Sequence, residues 1–295
     1  MPPRGAVVTM TVMQREFRQV DVFSAESFRG NPVAVVHGAD DMSEEDMQLF
    51  ARWTNLSETT FLLAPADPRA DYRLRIFTPE RELLFGGHPT LGSAHAWLEA
   101  GGRPASADRL VQECGVGLVP LRRTPGAGQD APGQLAFQAP PLIRSGPVED
   151  PVLDEIAAAL GIKREDIRDA QWADNGPGWV AVELASADAV LALTPGVTSR
   201  DIGVFGPYPP GSPEAFEVRA FTPLISGAGE DPVTGSLNAS LAMWLLSSGK
   251  ATAPYIASQG TALGRRGRVH VTADADGAVW IGGGTHTLIS GSVHL

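Results

Sequence analysis

The chain has 295 residues, of which 43% are hydrophobic and 19% charged, and its formal net charge is −11. That length suits two compact lobes, because single cores stop growing near ~250–300 residues, and the composition excludes global disorder. The acidic balance argues against a nucleic-acid footprint, no apolar run reaches the ~20 residues of a membrane helix, and the lone Cys114 permits no intrachain disulfide and no cysteine zinc cage, so cytoplasm is the expected compartment.

In chain order, MPPRGAVVTMTVMQREF lacks an apolar segment with a cleavage site and reads as a frayed extension rather than a secretory signal. FRQVDVF (17–23) and NPVAVVH (31–37) are strand-like runs bounded by turn residues. Ser43 followed by Asp46 resembles a capping box opening a helix that ends near Trp53. A strand begins near Thr59, so Glu58 stands at the helix–strand junction, and YRLRIF (72–77) is another strand. The run TPGAGQDAPG (124–133) has linker composition. Beyond it, Asp150 before Pro151 gives an N-cap with a first-turn proline, and Gly161 ends that helix. WVAVEL (179–184) and VWIGG (279–283) complete the clear strands. Many strands follow one another without a helix between, so the class is α+β with mostly antiparallel pairing. The expected lobes are 1–128 and 129–287, with a tail of about 288–295 returning to the first.

Self-similarity supports two related halves. RIFTPERELLFGGHPTLGSAHAWL (75–98) and RAFTPLISGAGEDPVTGSLNASLAMWL (219–245) share Arg-x-Phe-Thr-Pro, a glycine-bearing loop, and x-Pro-x-x-Gly-Ser opening an apolar helix. The alignment matches Arg75 with Arg219, Phe77 with Phe221, Gly92-Ser93 with Gly235-Ser236, and His88 with Asp231. Pro89 and Pro232 fall in the expected first helical turns. Helices apolar nearly all round are buried, which predicts one central helix per lobe with its N-terminus facing the cleft between them.

Two such N-termini make a site for an anionic carboxylate that requires no cofactor or metal. Gly86, Gly87, Gly92 and Gly235 admit close backbone approach, and Ser93 and Ser236 add hydroxyl donors. Asp231 fits a helix cap and a functional group equally well; His88 is a poor cap, which favours function. His95 reads as an interior or pocket-wall residue. Glu58, flanked by Leu56, Phe61 and Leu62, would have its pKa raised by burial toward that of a proton carrier, although spacing alone favours a structural role, capping the loop or pairing with Arg52. Arg265, Arg266 and Arg268 form a basic knot suited to a solvated turn or, secondarily, to an anionic substrate. Gly115-Val116-Gly117 lacks the rest of a dinucleotide fingerprint, and GAGED (227–231) lacks a phosphate-loop lysine.

VDVFSAESFRGNPVAVV (20–36), SETTF (57–61), FGGHPTLGSAHA (85–96) and GEDPVTGSLNA (229–239), in that order, resemble the phenazine-biosynthesis PhzF-like family. The resemblance implies a diaminopimelate-epimerase-like fold, in which two pseudo-symmetric lobes each wrap a mostly antiparallel β-barrel around a central helix, usually as a homodimer. It implies cofactor-independent isomerase chemistry in which one glutamate moves a proton between carbons. Carried over by motif, that glutamate is Glu58, accompanied by His88, Asp231 and Ser236, and the resemblance lifts Glu58 above its structural reading. Gln259 and Gly260 fall on the family's last substrate loop, but Gly264-Arg265-Arg266-Gly267 departs from its Gly-Arg-Pro-Ser, which puts contacts from that loop in question. The paired cysteines of related racemases are absent, and Cys114 reads as a small buried apolar residue. Besides isomerisation, the same site suits tautomerisation, hydration or carbon–carbon cleavage of an amino-acid-derived intermediate; a non-catalytic metabolite-binding protein is the third reading.

Overall fold

The computed structural model describes residues 13–124, 134–223 and 229–295, and one pattern of strand pairing runs through it twice. Residues 1–12 of the extension expected to fray, all but Thr124 of the expected linker, and residues 224–228 of the second repeat loop lie outside the described residues; residues 14–17 of that extension are not frayed but belong to a paired strand.

The first half opens with the antiparallel pair β1 (Gln14–Val22) and β2 (Asn31–Val36). Helix α1 (Glu44–Thr54) leads to β3 (Glu58–Leu63), parallel to β2, and the chain folds back as β4 (Tyr72–Phe77) and the short β5 (Glu82–Leu83). Helix α2 (Gly87–Glu99) connects to β6 (Arg109–Cys114), parallel to β4, and then come the antiparallel β7 (Gly117–Thr124) and β8 (Gln134–Gln138).

The second half begins with β9 (Arg144–Pro147) and α3 (Asp150–Leu160). The antiparallel pair β10 (Asp169–Asp174) and β11 (Val180–Glu183) follows, then α4 (Ala187–Leu191) and β12 (Ile202–Pro207), parallel to β11. Strands β13 (Phe216–Phe221) and β14 (Glu230–Asp231) lead into α5 (Gly235–Ser247). β15 (Tyr255–Gln259), parallel to β13, is followed by the antiparallel β16 (Gly267–Ala273) and β17 (Val279–Gly283). Finally β18 (Thr285–His294) pairs with β1, as β9 pairs with β10, and β8 joins β17 across the seam.

Each half curls its sheet around one helix. α2 and α5 are buried along most of their length, and Leu91, Ala94, Leu237 and Leu241 belong to one continuous core. The shared core couples the halves, because separating them would expose both central helices to water. The repeat also carries its charges: Arg75 grips Glu82 with two hydrogen bonds of 2.7 and 2.6 Å, and Arg219 grips Glu230 likewise at 2.9 and 2.7 Å. The second pair is buried, so removing one partner alone would strand a charge inside the protein.

Local signals held at α1, where Ser43 accepts from the Asp46 N–H, and at α3, where Gly161 ends the helix with φ 69°. Two need correction. The cap of α3 is Glu149, with Asp150 already the first helical residue. Pro232 precedes the N-cap Thr234 rather than sitting inside α5, because the chain first completes β14.

Candidate active site

The ends of α2 and α5 meet at two glycines. A Cβ on Gly87 would lie 2.6 Å from the Gly235 Cα, and one on Gly235 would lie 2.7 Å from the Gly87 Cα, so only hydrogen fits between the backbones. Neither N-cap residue, Gly86 or Thr234, caps its helix with a side chain, which leaves first-turn N–H groups of two converging dipoles at one cleft. The cleft encloses about 620 Å³ of empty space, partly open to solvent, and is bordered by Ser57, Glu58, His88, Asp231 and Ser236 among others.

Glu58 is the first residue of β3, held beside Val33 of β2 by the parallel register. Arg52 bonds the Pro79 carbonyl instead of Glu58. The Glu58 side chain is 16% exposed, and its Oε2 lies 3.1 Å from Nε2 of His88, itself 4% exposed. The contact is close but off the hydrogen-bond line, and both atoms lack a hydrogen-bond partner among the described residues. Burial first, and the neighbouring Asp231 charge second, push the Glu58 carboxyl well above the usual carboxylate range. Burial also holds the His88 imidazole down at about 3, against a bond to the Pro32 carbonyl.

Burial disfavours charge on both groups: it holds the His88 ring neutral, with one nitrogen protonated and the other bearing a lone pair, and it favours the protonated form of Glu58. The 3.1 Å approach of Glu58 Oε2 to His88 Nε2 places a carboxyl and an imidazole where a single proton can lie between them.

Asp231 is the third member. Its Oδ1 accepts from Asn31 Nδ2 at 2.9 Å and from the Ser57 hydroxyl at 3.4 Å, and its Oδ2 accepts from the Thr234 hydroxyl at 2.5 Å. Burial lifts its carboxyl to about 6, against these three donors. Asn31 also donates to the Val233 carbonyl and touches His88 Nδ1 at 3.3 Å, so it ties the two halves of the site together. On the opposite wall, the Trp179 indole donates to Ser236 Oγ at 3.1 Å and Asn175 donates to the Ser236 carbonyl at 2.9 Å. An indole N–H is donor only, so the Ser236 proton is left to turn toward the cleft.

His88 and Asp231 do converge, but not as mates of the repeat. Strand register pairs Phe77 with Glu82 and Phe221 with Glu230, which superposes Leu83 on Asp231, Gly87 on Gly235 and His88 on Ser236. The turn between Phe221 and Glu230 is longer than that between Phe77 and Glu82, and this displaces the Asp-Pro motif from the His-Pro motif. Consequently Gly92 and Ser93 lie in the second turn of α2, and Ser93 is buried against the Thr60 hydroxyl at 2.9 Å. Gln259 stands behind the site, accepting from the Thr234 N–H and Asn238 and donating to the Asp231 carbonyl and Thr234 hydroxyl. Gly260 abuts the Pro232 carbonyl and Arg265. These four residues, expected to touch substrate, brace the cleft from outside; Gly86, Gly87, Gly235 and Ser236 border it.

The basic knot is likewise absorbed: Arg265 bonds the Phe28 and Gly30 carbonyls, Arg266 pairs with Glu26, and Arg268 pairs with Glu214 at 2.6 Å. His95 bonds Thr285 and Thr287 away from the cleft, and Cys114 is half-buried at the end of β6. Sequence reasoning missed Asn31, Trp179, Thr234 and Asp201. Asn31 and Thr234 lie inside the runs 20–36 and 229–239 that carry the family resemblance but were given no role, and Trp179 and Asp201 emerge only from register.

With this geometry in view, the Phenazine biosynthesis-like protein family model matches residues 20–291. The chain belongs to the PhzF-like family. Among its relatives, trans-2,3-dihydro-3-hydroxyanthranilate isomerase of Pseudomonas aeruginosa is 35% identical, covering 94% of this chain and 98% of its own length. Antisense-enhancing sequence 1 of Schizosaccharomyces pombe is 38% identical over the same shares. The PhzF-family phenazine biosynthesis protein of Bacillus anthracis superposes with a TM-score of 0.78 at 23% identity, covering 96% of this chain and 100% of that one. A hydroxyproline epimerase of Agrobacterium vitis shares the fold with a TM-score of 0.61 at 14% identity, covering 97% and 93%. The PhzF-like chain described here is thus an isomerase-family enzyme with the diaminopimelate-epimerase-like fold.

Proposed function

We propose that this enzyme shifts a proton between carbons of a small cyclic or conjugated carboxylic acid, with Glu58 as both base and acid and no bound cofactor. The observation that carries the reading is the Glu58–His88 contact at 3.1 Å, two otherwise unpartnered buried atoms sharing one cleft with Asp231. A carboxyl driven up toward working pH takes a carbon-bound proton more readily than an ordinary carboxylate and still returns it. The converging N–H groups of α2 and α5, with the Ser236 hydroxyl, hold the substrate carboxylate and the negative charge that develops as the C–H bond breaks. His88 lies against the Glu58 carboxyl and steers it, while burial and, after it, the Asp231 charge keep the Glu58 pKa high. Homodimeric assembly and a cytoplasmic location belong to the same proposal; they rest on the family likeness and the single cysteine.

The dihydrohydroxyanthranilate named for the Pseudomonas relative is the first substrate to assay. Turnover in deuterium oxide should place deuterium at the receiving carbon, and Glu58→Gln should abolish that incorporation in a folded protein. Release of a smaller fragment instead would favour bond cleavage.

A further inference from the structure

One buried amide touches both halves of the site. Asn31, wholly buried at the start of β2, brings its Nδ2 to Asp231 Oδ1 at 2.9 Å, to the Val233 carbonyl at 3.0 Å and to His88 Nδ1 at 3.3 Å. The first two belong to the second half and the third to the first. Chemistry fixes the orientation of the amide: turned over, its oxygen would face the Val233 carbonyl, acceptor against acceptor. In the orientation that remains, Oδ1 has no hydrogen-bond partner among the described residues, a cost in stability that an apolar side chain of the same bulk would avoid.

Joining the halves does not by itself require this amide. Ala34 pairs with Thr59 and Val180 with Ile202, and Thr59 and Ile202 hold the same place opposite Phe77 and Phe221, so Asn31 corresponds to Pro177. Turn chemistry agrees with this superposition: Asp21 accepts the Gly30 N–H, and its counterpart Asp174 accepts that of Gly176. Asp231 corresponds to Leu83. The junction filled by Asn31 and Asp231 at one end is therefore filled at the other by Pro177 and Leu83, whose side chains border the cleft and form no hydrogen bond. The polar link stands only at the end that holds Glu58.

A clasp of loops holds Asn31 in place. Arg29 donates to the Gly264 carbonyl at 2.6 Å, Arg265 to the Phe28 and Gly30 carbonyls at 3.2 Å, and the Arg266 N–H to the Arg29 carbonyl at 2.7 Å. A proline at 266 has no N–H for the last bond. Glycine is needed next to it, because a Cβ on Gly267 would lie 2.5 Å from Cγ2 of Val233, whose carbonyl accepts from Asn31. The departure of Gly264-Arg265-Arg266-Gly267 from Gly-Arg-Pro-Ser thus serves the mount of Asn31.

We propose that Asn31 is a positioning residue for the proton transfer, holding the Asp231 carboxyl and the His88 ring at fixed places around Glu58. This assignment rests on the reading of Glu58 as proton carrier. The Asn31 N–H also favours the ionised form of Asp231, as do the Thr234 and Ser57 hydroxyls, against burial. The titratable and charged groups around Asp231 are Glu58, His88 and Glu230, the last paired with Arg219.

The experiment compares Asn31→Leu, which keeps the bulk and deletes the amide, with wild type, Asp231→Asn and Glu58→Gln. Deuterium incorporation is followed on whichever carboxylate wild type exchanges, and the carboxyl carbons of isotope-labelled aspartate are titrated by NMR, with Asp231→Asn identifying the Asp231 signal. Asn31→Leu should lower kcat roughly 10–100-fold with KM near wild type, the mark of lost positioning rather than lost binding. Without its Asn31 donor, the Asp231 carboxyl should titrate above about 6. If Asn31→Leu does not fold, Asn31→Ala is judged by the same criteria. A folded Asn31 variant with wild-type kcat, or with the Asp231 titration unmoved, overturns the proposal. The titration needs no substrate, so its failure sinks this assignment alone, whereas exchange persisting in Glu58→Gln sinks the proton-carrier reading.

Discussion

Replacing Gly87 with alanine tests the convergence of the two helix ends. The new Cβ would lie 2.6 Å from the Gly235 Cα, 2.7 Å from the Gly235 carbonyl carbon and 2.9 Å from Cζ of Phe137. Carbon atoms pack at ~3.5 Å or more, so the helices have to part by about 0.9 Å, and two of the three opposing atoms are backbone that cannot rotate away. Overpacking of this kind costs ~1–3 kcal/mol, or a fall in Tm of roughly 2–10 °C for a chain of this size. Displacing the carboxylate cradle by nearly an ångström should also cut turnover by ~100-fold. Thermal melting and the deuterium-incorporation assay read the two effects. Gly196→Ala is the control, since its Cβ would meet only the Ala159 carbonyl oxygen at 3.7 Å, and it should melt within ~1 kcal/mol of wild type. A Gly87→Ala protein with wild-type melting and turnover refutes the packing argument.

Other expectations follow from the charges. Asp231→Asn removes the like charge that helps raise Glu58, so the acid limb of the pH–rate profile should move to lower pH; a limb that stays in place, or moves up, contradicts the coupling. Asp231 itself sits at about 6 in the fold against 3.8 outside, so the native state holds its proton more tightly. Its contribution to stability is complete at low pH and declines as pH rises from 3.8 through about 6, a slope in melting temperature that Asp231→Asn should flatten. Trp179→Phe keeps a ring but deletes the donor to Ser236, and should raise KM by ~5–10-fold with a smaller change in kcat, seen by steady-state kinetics. A fall in kcat with KM unchanged would assign Trp179 to the transition state instead.

Much of the fold was legible because its signals are local or periodic. Apolar helices announced burial at α2 and α5, the capping box placed α1, and duplication of Arg-x-Phe-Thr-Pro announced two halves whose strands share one register. The site was legible in part. Motif likeness selected Glu58, His88, Asp231 and Ser236, which the fold gathers around one cleft. Sequence alignment failed where loop lengths differ: matching His-Pro with Asp-Pro obscured the equivalence of Leu83 with Asp231 and sent Gly92 and Ser93 to the cleft. Asp201 and Trp179 carry no motif at all. Their placement depends on which strand lies beside which, and a chain read in one dimension does not contain that. Gln259 shows the converse, a motif residue whose hydrogen-bonding groups are all spent on holding Thr234, Asn238 and Asp231 in place.

The role of Glu58 is tested most directly by running Glu58→Gln beside wild type in deuterium oxide, on whichever carboxylate wild type exchanges, beginning with the dihydrohydroxyanthranilate of the Pseudomonas relative. Losing the proton carrier should cut incorporation by at least ~10²–10⁴-fold while melting temperature and carboxylate binding stay near wild type. Incorporation at close to the wild-type rate in the folded variant would place the proton on another residue.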